Sequence, residues 1–263
     1  MKLARRILIT VVVTLVVIFV GVNWIAPVAL SYYAVSQALP VTRVVPTDLK
    51  DLSVSQSPGT KLSYFGYEFE VPWSDLDESK TKLFPKDKPD KKMVWLTFRS
   101  GLRLIVTAVP PREMADEFTK GDFKVSPQAF EAVFGHEAAA SDYEFTKRVY
   151  TFTPDKMHYL AWSSALHTRE QMLLLIKSIL PSKPAESGIL NVRNQSYKGF
   201  QQGNPKIRQD SLLVHLYSDD GSVEIVFLQK DYNNAAGVTQ PEINRIVQSL
   251  HRLSSALSQN GKN

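Results

Sequence analysis

Apolar and polar residues alternate along this chain in three distinct ways, and each predicts a different kind of element. The first is an unbroken run: from Ile7 to Ile25, nineteen residues pass without a charge. As a helix this run is about 28 Å long, close to the ~30 Å hydrocarbon core of a bilayer. Ile7, Val11, Leu15 and Ile18 lie within the predicted span, and Trp24, with Asn23, Tyr32 and Tyr33 nearby, marks its outer edge. Thr10 and Thr14 are compatible with a span because their hydroxyls can bond back to helix carbonyls. Lys2, Arg5 and Arg6 precede the run, and no Lys or Arg reappears until Arg43. This asymmetry predicts a cytoplasmic N-terminus (residues 1–6) and a body outside. Small-residue cleavage sites are poor: Ala29 has Pro27 two residues upstream, Ala34 has Tyr32, and Ala26 is followed by Pro27. The run therefore reads as an uncleaved signal anchor over residues 7–25.

The second pattern has a period of two, the mark of half-buried strands. Residues 26–60, punctuated by Pro40, Pro46 and Pro58-Gly59, read as a stalk, with the folded body running over 61–257 and a disordered tail over 258–263. Lys61–Phe65 and Tyr67–Val71 predict two strands around a tight bend at Gly66, and Met93–Phe98 and Leu102–Val109 a hairpin across Arg99-Ser100-Gly101. Between these pairs, Ser74–Lys92 mixes five acids with six lysines and reads as a solvated loop. Strands resume at Gly188–Val192, Tyr197–Gln201, Gln209–Tyr217 and Ser222–Gln229. The last two flank Ser218-Asp219-Asp220-Gly221, a strong hairpin turn, with Leu212, Val214 and Leu216 on one side and Val223, Ile225 and Phe227 alternating likewise.

The third pattern is helical. Within 111–180, Ser126-Pro127 supplies an N-cap and a first-turn proline, Phe130, Val133 and Phe134 share a face, and Gly135 closes the helix. Thr168 and Gln171 form a capping pattern ahead of the apolar run Met172–Ile176, which stops before Pro181. At the C-terminal end Thr239 and Glu242 make a capping box, and Ile243, Ile246, Val247, Leu250, Leu253 and Leu257 form one stripe. This helix is expected to cover the packed sheet face. Burying six such side chains contributes on the order of 10 kcal/mol before conformational entropy is counted.

Composition narrows the choice of function. The chain has 31 Lys and Arg against 26 Asp and Glu, but three of the basic residues sit in the N-terminal leader, so the body is nearly neutral. No nucleic-acid partner is expected from such a surface. With no cysteine, disulfides, thiolate metal sites and Cys nucleophiles are excluded together. Asn194-Gln195-Ser196 matches a glycosylation triplet, relevant only in a eukaryotic secretory route.

Candidate chemistry is sparse. His136-Glu137 begins like a zinc-protease helix, but Ala140 stands where the second histidine belongs, and His158, His167, His215 and His251 are scattered. Ser163, Ser164 and His167 are close in sequence, though no nucleophile-elbow string surrounds them, and Asp219-Asp220 is what a hairpin turn requires. No catalytic residue, metal site or cofactor is predicted. The best binding candidate is the stretch from Lys198 to Lys206, with Lys198, Phe200, Gln201 and Gln202 as its recognition residues. Against it, a bulge at Gly199 and a turn at Gly203 are the favoured explanation of those two glycines.

The aromatic hairpin FGYEFEVPW (Phe65–Trp73), the second hairpin, the later antiparallel strands and the closing amphipathic helix together resemble the PsbP/Mog1-like α+β sandwich. The resemblance covers Lys61–Val109 and Gly188–Leu257. The helical stretch Pro111–Leu180 departs from the compact version, which leaves an insertion or another topology open. The resemblance implies a binding or assembly role rather than catalysis, and no functional residue carries over. The expected fold is α+β: one N-terminal transmembrane helix, then an extracytoplasmic antiparallel sheet packed by helices. The leading expectation is a single-pass, non-catalytic binding or assembly module of the cell envelope, most naturally in a bacterial periplasm. Its partners would be the bilayer and an envelope protein. An envelope hydrolase assembled from distant residues and a carrier of an apolar ligand are the alternatives. The C-terminal stripe makes one test immediate: Leu250→Asp should cost more than about 3 kcal/mol, seen as a large fall in Tm, and an unchanged Tm would refute the placement.

Overall fold

The computed structural model describes residues 40–84, 92–111, 113–121, 124–157, 169–234 and 237–253. The expected anchor residues Ile7, Val11, Leu15, Ile18 and Trp24, and the tail 258–263, lie outside them. Among the described residues no helix is long and apolar enough to cross a membrane.

The body is α+β and is built around an eight-stranded sheet. Its strands are β1 (Pro46–Asp48), β4 (Lys82–Phe84), β5 (Lys92–Thr97), β6 (Arg103–Val109), β7 (Ile189–Arg193), β8 (Lys198–Gln202), β9 (Ser211–Ser218) and β10 (Gly221–Leu228). They lie in the order β1-β7-β8-β9-β10-β6-β5-β4. A smaller sheet, ordered β11-β3-β2, joins β2 (Thr60–Tyr64), β3 (Tyr67–Val71) and β11 (His251–Arg252). The helices are α1 (Glu113–Thr119), α2 (Pro127–Phe134), α3 (His136–Ala140), α4 (Asp142–Thr151), α5 (Arg169–Ile179) and α6 (Gln240–Ser249).

Alternation along the strands splits the core in two. On one face Leu212, Val214, Leu216, Val223, Ile225 and Phe227 join Phe69 and Val71 of the small sheet, Trp73 just beyond it, and Ile243, Ile246, Val247 and Leu250 around α6. On the other face Ile189, Phe200 and Tyr217 pack against Phe118, Phe130, Phe134, Phe145 and Val149 of the helical layer. The result is three layers, with the helices of 113–179 as an outer layer on the large sheet. That layer lies over the β7–β9 side. Gln202, Leu213, Val226, Ile105 and Trp95 form one row across this face, and exposure rises from 2% at Gln202 through 9% at Leu213 to 38% at Trp95.

Several local expectations match. The β2–β3 hairpin turns on Phe65 (φ 58°) and Gly66 (φ 82°), the paired positive-φ geometry that fits a right-twisted hairpin. Ser126 Oγ accepts from Ala129 N at 3.2 Å, and Thr239 and Glu242 cap α6 reciprocally.

Four expectations need correction. The eight-stranded sheet is mixed, because β1 runs parallel to β7. Residues 40–59 are not a stalk. Pro40–Arg43 forms a 3-10 turn that buries Val41 and Thr42, and the segment after β1 straps across α6. There Asn244 Nδ2 donates to Asp51 O (2.8 Å) and Ser53 O (2.7 Å), Arg245 Nη1 to Ser55 O (3.2 Å), and Ser55 N to Pro241 O (3.0 Å). The strap is held by backbone groups that carry no apolar signature. The expected loop 74–92 contains β4, recruited because β5 offers it a free edge. Finally, α6 ends at Ser249, not near Leu257. Glu70 N donates to Ser249 Oγ, His251 and Arg252 pair with Glu68 and Tyr67, and Leu253 N donates to Gly66 O. The open edge of β3 captures the chain and ends the helix; Leu257 lies outside the described residues.

One buried charge ties these parts together. Lys177 of α5 is fully buried, and its ammonium donates to Val44 O (2.7 Å), Tyr150 O (2.8 Å) and Phe152 O (2.5 Å). Burial pushes its pKa down to about 8, and the nearby Lys156 charge acts in the same direction. The unfolded chain keeps this proton up to about 10.5, so between these values the unfolded state binds more protons and folding stability rises with pH. Lys177→Met should cost about 2–4 kcal/mol near neutrality by leaving three carbonyls without a donor. It should also abolish that rise. Urea unfolding of both proteins on either side of pH ~8 measures the gap, which should widen with pH.

Candidate functional site

The stretch Lys198–Gln202 is strand β8, deep in the sheet, rather than an exposed loop. Alternation sends Phe200 and Gln202 to the helical layer and Gln201 to the α6 layer. Phe200 stacks on Tyr143 (centroids 5.4 Å, 10°) and meets Tyr150 edge-on (5.1 Å). Gln202 Nε2 donates to Tyr150 OH (2.7 Å), and its Oε1 accepts from Ser182 N and Oγ (2.7 and 2.6 Å). Gln201 and Gln240 exchange reciprocal amide bonds, both 2.9 Å, and Gln240 passes one on to Asn244. Of the four predicted residues only Lys198 reaches solvent, 4.2 Å above the Tyr143 ring and 3.5 Å from Glu144. Gly199 has a packing reason: a Cβ there would fall 1.9 Å from His215 O.

Beside Phe200, across the β8–β9 register, lies His215. Its Nε2 meets Ser222 Oγ at 2.8 Å and its Nδ1 meets Tyr217 OH at 3.0 Å, while Tyr217 OH also meets Thr146 Oγ1 at 3.0 Å. Glu224 Oε2 stands 4.0 Å from Nδ1. Serine, imidazole and carboxylate thus lie together on β9 and β10, the constellation a hydrolase would need. The chemistry does not follow. The carboxylate is beyond hydrogen-bond distance and Tyr217 holds its place on Nδ1. Ser222 is 2% exposed, leaving no approach for a substrate. Burial drives the His215 pKa down to about 3, far too low for a general base at neutral pH. Burial likewise pushes the phenols of Tyr217 and Tyr150 well up, so both remain neutral hydrogen-bonding groups.

His136, where the zinc-protease-like pair begins, is exposed, pairs with Glu131 (2.9 Å) and lines a surface cavity of about 440 Å³ together with Asp116 and Thr119. Among the described residues no group of three or more His, Cys, Asp or Glu could hold a metal. Ser163, Ser164 and His167 lie outside the described residues. The aromatic hairpin is core, with Tyr67, Phe69, Val71 and Trp73 buried.

Two surfaces stand out instead, and sequence reasoning had passed over both. At the β4 end of the sheet, beyond which no strand pairs among the described residues, Phe84 (40% exposed) and Trp95 (38%) share one face in ring contact at 5.4 Å, while Leu83 (62%), opposite Val94 in the register, is exposed on the other face. The period-two pattern of β5 already set Trp95 opposite the core positions Val94 and Leu96. On α5, Met172, Leu175 and Ile179 are exposed at i, i+3 and i+7. That spacing was hidden within the continuous run 172–176. Near the start of α5, Arg148, Lys156 and Arg169 line a cavity of about 200 Å³ with Thr151 and Glu170.

Compared with protein-family models, with curated proteins and with solved structures, the chain matches none.

The His215 cluster yields a pH test. Because its folded pKa lies below the unfolded value near 6.5, the unfolded chain takes up this proton first as pH falls, and His215 withdraws stability below about pH 6.5. Its imidazole NMR signals, assigned with His215→Gln, should not move between about pH 7.5 and 4.5. A midpoint near 6.5 would show an exposed, protonatable ring.

Proposed function

We propose that this chain is a membrane-tethered binding or assembly module of the cell envelope. A span over residues 7–25 holds the α+β body outside the cytoplasm, the bilayer is one partner and an envelope protein the other. One feature supports the tether: the nineteen-residue uncharged run with basic residues on one side only. The observation that carries the binding reading is the exposed aromatic pair of Phe84 and Trp95 on one face of the sheet at its β4 end. Large apolar side chains at a free sheet edge are suited to a protein partner, aromatic residues being enriched in interface centres. The hydrolase reading is less favoured, because the groups that resemble a catalytic set satisfy one another out of reach of a substrate.

A photoreactive side chain at position 95 of the full chain, irradiated in intact membranes, should give a discrete adduct, whereas one at Asp219 in the β9–β10 turn should not. Trp95→Ser should leave stability within about 1 kcal/mol, since the ring is already partly exposed. Membrane-retained protein that forms no adduct from position 95 would overturn the binding surface.

A further inference from the structure

Between α4 and α5 the chain gathers positive charge around the cavity of about 200 Å³. Arg148 comes from the last turn of α4, Lys156 from the 3-10 turn Pro154–Lys156, and Arg169 and Glu170 from the first turn of α5. The buried Leu173 supplies apolar lining. Three cations and one carboxylate leave two positive charges uncompensated. Among the described residues neither guanidinium is in an ion pair, while Lys156 Nζ donates to Thr151 O at 2.6 Å.

Helix electrostatics accounts for only part of this cluster. Arg148, in the last turn of α4, and Lys156, on a carbonyl of the same end, lie where the helix dipole is negative and favours them. Arg169 opens α5, where the dipole is positive and opposes a cation. The Lys156 charge in turn disfavours the buried ammonium of Lys177. An anion in the cavity offsets both costs. The volume restricts which one: at about 30 Å³ per water, 200 Å³ holds about seven waters, below the ~300–1,000 Å³ typical of a site for a whole cofactor. It suits one small oxyanion group. Two guanidinium forks and an ammonium offer more donors than the two oxygens of a carboxylate require, and they match a group with three terminal oxygens. Charge selects likewise, since a phosphate monoester carries about −1.5 to −2 near neutrality, where a carboxylate or a phosphodiester carries a single charge.

We infer that the cavity between α4 and α5 is a binding site for a phosphomonoester: Arg148 and Arg169 fork onto its terminal oxygens, Lys156 supplies the third cation, and the rest of the ligand lies outside the cavity. The site is separate from the Phe84–Trp95 pair and does not depend on the tether. Inorganic phosphate titrated calorimetrically into the full chain in a non-ionic detergent should bind about tenfold tighter than acetate at matched ionic strength, and should raise Tm with its concentration. Replacing Arg148 and Arg169 together by Gln should weaken that binding about tenfold or more. Both side chains are exposed, so the phosphate-free Tm should not change, and Arg193→Gln, at an exposed arginine of β7, should leave binding as it was. Glu170→Gln removes the opposing carboxylate and should tighten binding several-fold, a gain that a purely structural role does not give. Glycerol 3-phosphate and short-chain phosphatidic acid carry the same phosphate and identify its source. Equal affinities mark a soluble ester and tighter binding of the acylated form marks a lipid; either upholds the site. Phosphate that binds no better than acetate, or as well to the double variant as to the natural chain, overturns it. Should the double variant lose stability, Glu170→Gln decides alone, and unchanged or weaker phosphate binding by it overturns the site.

Discussion

The ammonium of Lys177 is the constraint on which the arrangement of this body depends. Removing such a charge from water costs several kcal/mol unless its donors are satisfied. Here three backbone carbonyls, from Val44, Tyr150 and Phe152, take its three hydrogens. Those carbonyls belong to different parts of the chain: the segment leading into β1, the end of α4, and the residue just after it. None can move away without stranding the charge. The condition fixes the N-terminal segment against α5, brings β1 alongside β7, and sets which face of α5 turns inward.

A second base, largely but not wholly buried, is handled in the opposite way. His215 is surrounded by Ser222, Tyr217 and Thr146, groups that can donate or accept as required, and burial keeps it neutral. The reciprocal Gln201–Gln240 pair and the Gln202–Tyr150–Ser182 contacts follow the same logic on either side of β8. Each of these polar groups finds its partner inside the protein. Such networks specify one packing of sheet against helices, and they leave little inside that is free to react.

The strands were legible because their period-two apolar pattern is dictated by burial on one face, and the caps at Ser126 and Thr239 because capping chemistry is local. The failures share a physical cause. Residues 40–59 fold through polar side chains of α6 bonding to backbone oxygens, which apolar periodicity does not register. The end of α6 is decided by the open edge of β3, a partner almost two hundred residues away in sequence. Phe200, Gln201 and Gln202 read as a recognition loop because glycines and amides are typical of loops. In the fold Gly199 lets two strands approach closely and the amides bridge layers. The β4–β5 patch and the α5 stripe were visible as spacing, but exposure is a tertiary property and spacing alone does not separate an outward apolar residue from an inward one.

Those two surfaces lie at opposite ends of the large sheet. The N-terminal segment leads into β1 at one edge, with α5 in the layer over the β7–β9 side, and Phe84 and Trp95 belong to the last two strands at the other. At about 4.8 Å per spacing, eight strands set the two edges roughly 34 Å apart. The helical layer covers only the β7–β9 side, so the sheet face that is sealed at Gln202 stands open at Trp95, and the aromatic pair there meets solvent where a helix would otherwise lie.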